Sequence, residues 1–383
     1  MNLDRSDTIP ESTAALPLNI DEYARAARSL LSPMVYDYIA GGAADEVTLR
    51  GNRAAFDRWR LLPRVLRGVD RADLQTTVLG HDTGLPILIA PTGFHRLVHD
   101  EGELATARAA HRADTIYTLS TASTYAIEEV AAHAGAWWFQ LYIYVDRAIT
   151  RDLVQRAEAS GAHALVVTVD TTVLGRREAD ERNRFTLPEG VTFANFTDVT
   201  HRHLPSLESG SGLTKYTTSG MTFDPTIHWR DLDWLASITS LPILPKGILA
   251  ADDARIAMDH GARGVIVSNH GGRQLDSAVA TLDALPAIVD AVGQQGEVLL
   301  DGGVRRGTDV LKALALGARA VMIGRPVLWG LASGGEAGVS HLFDLLRNEL
   351  ATAMVLCGAA TIADITRSLV VPAGVVPNTV GHQ

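Results

Sequence analysis

Residues 264–276 read GVIVSNHGGRQLD. An apolar, β-branched run stops abruptly in Ser268, Asn269 and His270, followed by two glycines and Arg273. A strand buried on both faces reads as a continuous apolar run, so this one has an open, polar C-terminal end. The same grammar recurs in PILIAP (86–91), IYTLS (116–120), WFQLYI (138–143), ALVVTVD (164–170), PILPKGI (242–248), EVLLDGG (297–303) and AVMIGRP (320–326). With GVIVSNH (264–270) that makes eight strands. Helical patterns starting at Glu101, Ala126, Ile149, Ala251, Leu282 and Gly307 fill the gaps, and several close on glycine, a common C-terminal stop. Eight βα units predict an α/β fold, a closed (β/α)8 TIM barrel whose strand ends converge on one mouth.

Two segments fall outside that repeat. The pattern NIDEYARAARSLLSPMVYDYIAGG within residues 19–60 predicts helices packed across one end of the barrel. Residues 186–228, rich in Thr, Ser, Gly and His, predict a long loop after the fourth strand, of the kind that forms a lid or stays disordered. The organisation expected is a flexible arm (1–18), a single domain (19–370) and a tail (371–383).

Composition narrows the function. Across 383 residues the formal net charge is −10, which argues against a nucleic-acid surface and for a small-molecule ligand. One cysteine, Cys357, allows no internal disulfide and suits a reducing cytoplasm. No apolar run reaches the roughly 18 residues of a membrane span, and no signal-peptide pattern opens the chain.

At the strand ends stand Thr92, Ser120, Gln140, Tyr142, Thr168, Asp170, Lys246, Ser268, His270, Asp301, Gly324 and Arg325. Each alone reads more simply as a hydrogen-bonded or solvated residue; convergence on one mouth gives them weight. His270 is a base, Asp170 a carboxylate able to orient it, and Arg273 and Arg177 can clamp an anion. That set suits removal of hydrogen from a carbon beside a carboxylate. DGGVRRGTD (301–309), with Gly303 and Arg305, and IGRP after the eighth strand match the place where barrels bind phosphate. His95 and His99 lie four apart in a loop without an evident third ligand, so no metal site is expected.

SNHGGRQLD, with LPILPKGI before it and LDGGVRRGTDV and IGRPV after it, closely resembles the FMN-dependent α-hydroxy-acid oxidase and dehydrogenase family, from about Tyr23 to Ser368. The resemblance implies that His270 is the base paired with Asp170, that Arg273, Arg177 and Tyr38 bind the substrate carboxylate, and that Tyr142 lies near its hydroxyl. It places Thr92, Ser120, Gln140, Thr168, Lys246 and Ser268 around the isoalloxazine, Asp301 at the ribityl chain, and Gly303, Arg305, Gly324 and Arg325 at the phosphate. The implied reaction is oxidation of an (S)-2-hydroxy acid to the 2-oxo acid, with oxygen as acceptor giving hydrogen peroxide. Transfer to a quinone or protein acceptor, decarboxylating monooxygenation and a flavin-binding protein without turnover are the alternatives. Relatives are usually tetramers, which implies a homotetramer here.

The chain departs from the family pattern in three places. Relatives acting on glycolate carry a tryptophan where this chain has Ala122, which predicts room for a larger acid, such as lactate, a longer aliphatic acid or one of mandelate type, unless Phe94 or a side chain of the long loop refills the gap. Pro245, before Lys246, marks either a bulge or a locally irregular strand. READERNR (177–184) reads as a solvated helix start in which only Arg177 has a family role. The long loop also lacks the apolar run by which membrane-bound relatives attach to lipid.

Overall fold

A computed structural model describes residues 16–196 and 223–375. Eight parallel strands, Ile87–Ile89, Tyr117–Ser120, Trp137–Leu141, Leu165–Thr168, Ile243–Ile248, Gly264–Val267, Glu297–Asp301 and Ala320–Ile323, pair in sequence order. Val321 pairs with Ile87 and closes the barrel. Each expected strand is present, and helices occupy each predicted gap.

The strands alternate as a pleated sheet must. Leu88, Trp138, Val166, Leu244, Ile266, Leu299 and Met322 fill the barrel interior, while neighbours such as Ile87, Ile89, Phe139, Leu165 and Val167 pack outward under the helices. Both sets are apolar because both faces are covered, which is why the sequence shows runs rather than alternation. A hairpin, Thr76–Val78 with His81–Thr83, inserts Val78 into the interior cluster and was not anticipated from sequence.

The N-terminal pattern folds as helices Ile20–Leu30 and Pro33–Ala40. Asn19 caps the first by accepting the Glu22 N–H at 2.9 Å, and Ser32 with Pro33 starts the second. A third helix, Val47–Asp57, follows. The last helical stretch, Arg325–Cys357, breaks its helical angles at Gly334 and Gly335. Val370–Pro372, which runs into the expected tail, pairs antiparallel with Trp59–Leu61. Most of the expected arm (1–15), the middle of the long loop (197–222) and the end of the tail (376–383) lie outside the described residues.

Candidate active site

The stretch from Val267 to Asp276 builds the centre of the mouth. Ser268 Oγ, fully buried, accepts from Lys246 Nζ at 3.0 Å and from the His270 N–H at 3.0 Å. Asn269 exchanges two 2.8 Å hydrogen bonds with Asn52 and tethers the turn to the third helix. His270, Gly271 and Gly272 then adopt positive φ of 59°, 64° and 76°. For a side chain this region is strained and must be held by its surroundings. A Cβ on Gly271 would lie 2.6 Å from Arg325 Nη1, and one on Gly272 2.6 Å from the Leu49 backbone nitrogen. The glycines are therefore required by close approach as well as by φ. Gln274 donates to the Asp170 carbonyl at 2.9 Å, and Asp276 accepts the N–H groups of Val47 and Thr48.

That turn aims the imidazole at Asp170, with Nδ1 3.0 Å from Oδ1. Asp170 comes from just past the end of the fourth strand, across the fifth strand from His270, and Thr171 Oγ donates to it at 3.1 Å. Burial pushes His270 below the usual histidine range despite the opposing pull of Asp170. Burial opposes ionisation of Asp170, but His270 and Lys246 outweigh it and hold the carboxyl below its ordinary value. The pair rests as neutral imidazole and carboxylate, with Nδ1–H donating and Nε2 left as an acceptor.

Two arginines face the pair. Arg273 donates to the carbonyls of Tyr38 at 2.6 Å and Gly41 at 3.2 Å, and its guanidinium lies over the Tyr38 ring. Burial, then the nearby Arg177, pushes Arg273 down to about 10. Arg177 is buried, with Nη1 3.5 Å from Asp180 and Nε without a partner. Burial, reinforced for Tyr142 by Asp170, raises the phenols of Tyr38 and Tyr142 above the usual tyrosine range, so both stay protonated donors.

Lys246 forms a buried 2.8 Å ion pair with Asp301. Pro245 sits in register opposite Val167, and the irregularity falls one step later: pairing shifts between Lys246 and Ile248. Gly247 carries it at φ 119°, where a Cβ would meet Asp170 at 2.6 Å. The bulge thus packs the fifth strand against the Asp170 carboxylate.

Of the expected residues, Tyr38, Thr92, Phe94, Ser120, Ala122, Tyr142, Arg177, Lys246, His270, Arg273, Asp301, Gly303, Arg305, Gly324 and Arg325 line one cleft of about 1450 Å³, open mouth included. Gln140, Thr168, Ser268 and Asp170 lie behind that lining. Gln140 accepts from Ser120 at 3.2 Å and donates to Thr168 at 3.0 Å, so these two support the wall. His95, from the pair considered for a metal, is buried with one ring nitrogen on Thr92 and the other on Thr106.

Sequence reasoning missed Phe193 and Phe223, which flank the undescribed segment and also line the cleft. Phe193 meets Phe94 edge-on at 4.8 Å, and Phe223 stacks on Tyr142 at 4.4 Å. The wall beside Ala122 is therefore aromatic. Phe94 donates its N–H to the Ala122 carbonyl at 3.0 Å. The one available signal was aromatic residues in an otherwise polar loop.

The cofactor half fits an anionic, polyhydroxylated group. Arg305 donates to the Val304 carbonyl and lies over Trp329, and Arg325 donates to the carbonyls of Ile39, Gly41 and Gly271. Neither has a carboxylate ion-pair partner among the described residues. Burial pushes Arg305 down to about 10 and holds Arg325 well below the usual guanidinium range. A bound phosphate would relieve both. Asp301 Oδ1 is buried without a partner among the described residues, as an acceptor for a ligand hydroxyl would be.

Comparison with known proteins agrees with this geometry. The FMN-dependent dehydrogenase family profile matches residues 27–372. The chain is 53% identical to an L-lactate oxidase of Nostoc sp., over 92% of this chain and 97% of that protein. It is 51% identical to a peroxisomal (S)-2-hydroxy-acid oxidase of Oryza sativa subsp. japonica, over 94% and 97%. Mandelate oxidase bound to (S)-4-hydroxymandelic acid superposes with a TM-score of 0.86 at 44% identity, over 92% of this chain and 98% of that one.

Proposed function

Because this chain belongs to the FMN-dependent dehydrogenase family and oxidises 2-hydroxy acids with FMN, we propose that it is an (S)-2-hydroxy-acid oxidase that hands electrons to oxygen, forming hydrogen peroxide, and prefers acids larger than glycolate. The observation that carries this reading is the 3.0 Å His270–Asp170 pair facing Arg177 and Arg273 across one cleft.

In this reading Arg273 and Arg177 bind the substrate carboxylate, helped by the Tyr38 hydroxyl, and so fix which face of the α-carbon meets the base. Tyr142 lies on the substrate-hydroxyl side. His270 takes a proton from the substrate at Nε2, and the Asp170 carboxylate stabilises the imidazolium that forms. Lys246, Asp301, Thr92, Ser120, Gly303, Gly324, Arg305 and Arg325 hold FMN, with Gln140, Thr168 and Ser268 behind them. When bound, FMN supplies the two-electron redox chemistry. Lys246 keeps a fixed positive charge beside the cofactor, and the Asp301 ion pair fixes its position.

The size preference rests on Ala122 and Gly93, two small residues side by side: a Cβ on Gly93 would come within 3.1 Å of the Ala122 Cβ. Phe94, Phe193 and Phe223 surround this space with apolar rings suited to a hydrocarbon side chain. The reading extends to a homotetramer in the cytoplasm. Exposed Val47, Val173 and Leu275 support association, and light scattering tests it. The substrate test is an anaerobic panel of glycolate, (S)-lactate, (S)-2-hydroxyoctanoate and (S)-mandelate read by flavin bleaching, followed by oxygen uptake. Expected is faster bleaching by the larger acids with peroxide formed stoichiometrically; preference for glycolate, or turnover without oxygen uptake, contradicts it.

A further inference from the structure

We infer that Asp180 sets at one the number of negative charges the arginine clamp accepts, so that the site selects monocarboxylic 2-hydroxy acids against dicarboxylic ones. The inference rests on the reading of Arg177 and Arg273 as the carboxylate clamp. Asp180 stands on the short helix Glu178–Arg182, where the sequence suggested a solvated charge run. Instead it is 8% exposed, with Oδ2 3.5 Å from Arg177 Nη1. It also lies within electrostatic reach of Arg273.

The charges around the clamp can be counted. Among the described residues Arg273 otherwise donates to the carbonyls of Tyr38 and Gly41 and lies over the Tyr38 ring. Among the described residues no carboxylate but Asp180 forms an ion pair with either arginine. The next acid, Asp37, accepts from Asn183 at 2.7 Å. The facing phenols of Tyr38 and Tyr142 are neutral. Burial pushes the Asp180 carboxyl above its ordinary value while Arg273 and Arg177 pull it back; as a carboxylate against two guanidinium charges it leaves a single positive charge, which one substrate carboxylate neutralises. With the cofactor phosphate on Arg305 and Arg325 and Lys246 paired to Asp301, a second carboxylate on the ligand would find no surplus cation, and it would approach the Asp170 carboxylate behind His270. Buried charges a few ångströms apart interact strongly enough for Asp180 to decide this balance.

Oxalate and oxamate are near-isosteric and differ by one charge, so their relative affinity reads the balance directly. Calorimetric titration of the FMN-loaded enzyme gives both dissociation constants without turnover. Asp180→Asn is expected to raise the oxalate-to-oxamate affinity ratio by about tenfold or more, and Asp180→Glu to keep the parent ratio even if both affinities fall. Should the Asn variant not fold, Asp180→Ser carries the same expectation. An unchanged ratio in the neutral variant, both ligands shifting by one factor, overturns the inference and makes Asp180 only a support for Arg177. If the parent binds neither ligand, or Arg273→Met leaves both affinities unaltered, the clamp reading itself fails and this inference with it.

Discussion

The two ends of the barrel are built to opposite rules. At the N-terminal end the hairpin Thr76–Val78 and His81–Thr83 drives Val78 into an interior of Leu88, Trp138, Val166 and Met322, all closely packed and apolar. At the C-terminal end His270 is held at φ 59°, Asp170 Oδ2, Arg177 Nε and Asp301 Oδ1 are buried without partners among the described residues, and the half-buried Arg305 and Arg325 have no carboxylate ion-pair partner there. One end is filled by the chain's own apolar side chains, with the Trp138 indole N–H the exception that finds no partner among the described residues. The other leaves demands that a phosphate, a ribityl chain and a carboxylate can meet. Stability and chemistry are thereby separated along one axis, as the fold permits.

Substitutions at the two ends should therefore fail differently. Arg325→Leu removes a half-buried cation at the mouth and three hydrogen bonds to Ile39, Gly41 and Gly271. It should cost about 3–5 kcal/mol of FMN binding, seen as purified protein without yellow absorbance. Full FMN occupancy would remove Arg325 from the cofactor site. Trp138→Ala, inside the barrel, should lower the unfolding free energy by about 3–5 kcal/mol while the FMN content and KM of the folded fraction stay unchanged. A changed KM with unaltered melting would erase the contrast between the ends.

A smaller effect comes from pH. His270 accepts a proton only when neutral, and burial places its pKa below the ordinary value of about 6.5. kcat/KM should therefore be level at neutral pH and fall only as pH drops through that depressed value, by about tenfold per unit. Asp170 pulls the histidine upward, so in Asp170→Asn the acid limb should move to still lower pH on a much reduced maximum. A limb at or above the ordinary histidine range in the parent enzyme would contradict the buried, neutral base.

Much of this was readable in the chain, for a physical reason. Barrel strands covered on both sides must be apolar throughout, so each appears as a run, and the polar residue ending the run is the one that reaches the mouth. His270, Asp170, Lys246 and Asp301 were visible that way. The hairpin was not, because TTV and HDT are three-residue strands with one interior side chain between them. Nor was the helix Val47–Asp57, whose VTLRGNRAAFD shows little apolar periodicity because its inner face buries Thr48 and Asn52. Asp180 looked like one member of a solvated charge run, since sequence does not show that Arg177 and Arg273 would enclose it. Phe193 and Phe223 line one cleft although they stand far apart in the chain, and nothing in the sequence shows that.

The central claim is that His270 is the base for substrate oxidation, and it is tested most directly by anaerobic stopped-flow mixing of FMN-loaded His270→Ala with (S)-lactate. The account predicts that the flavin stays oxidised, with a reduction rate at least about 10³-fold below the parent, while oxamate still binds at the clamp. Bleaching at the parent rate would contradict it.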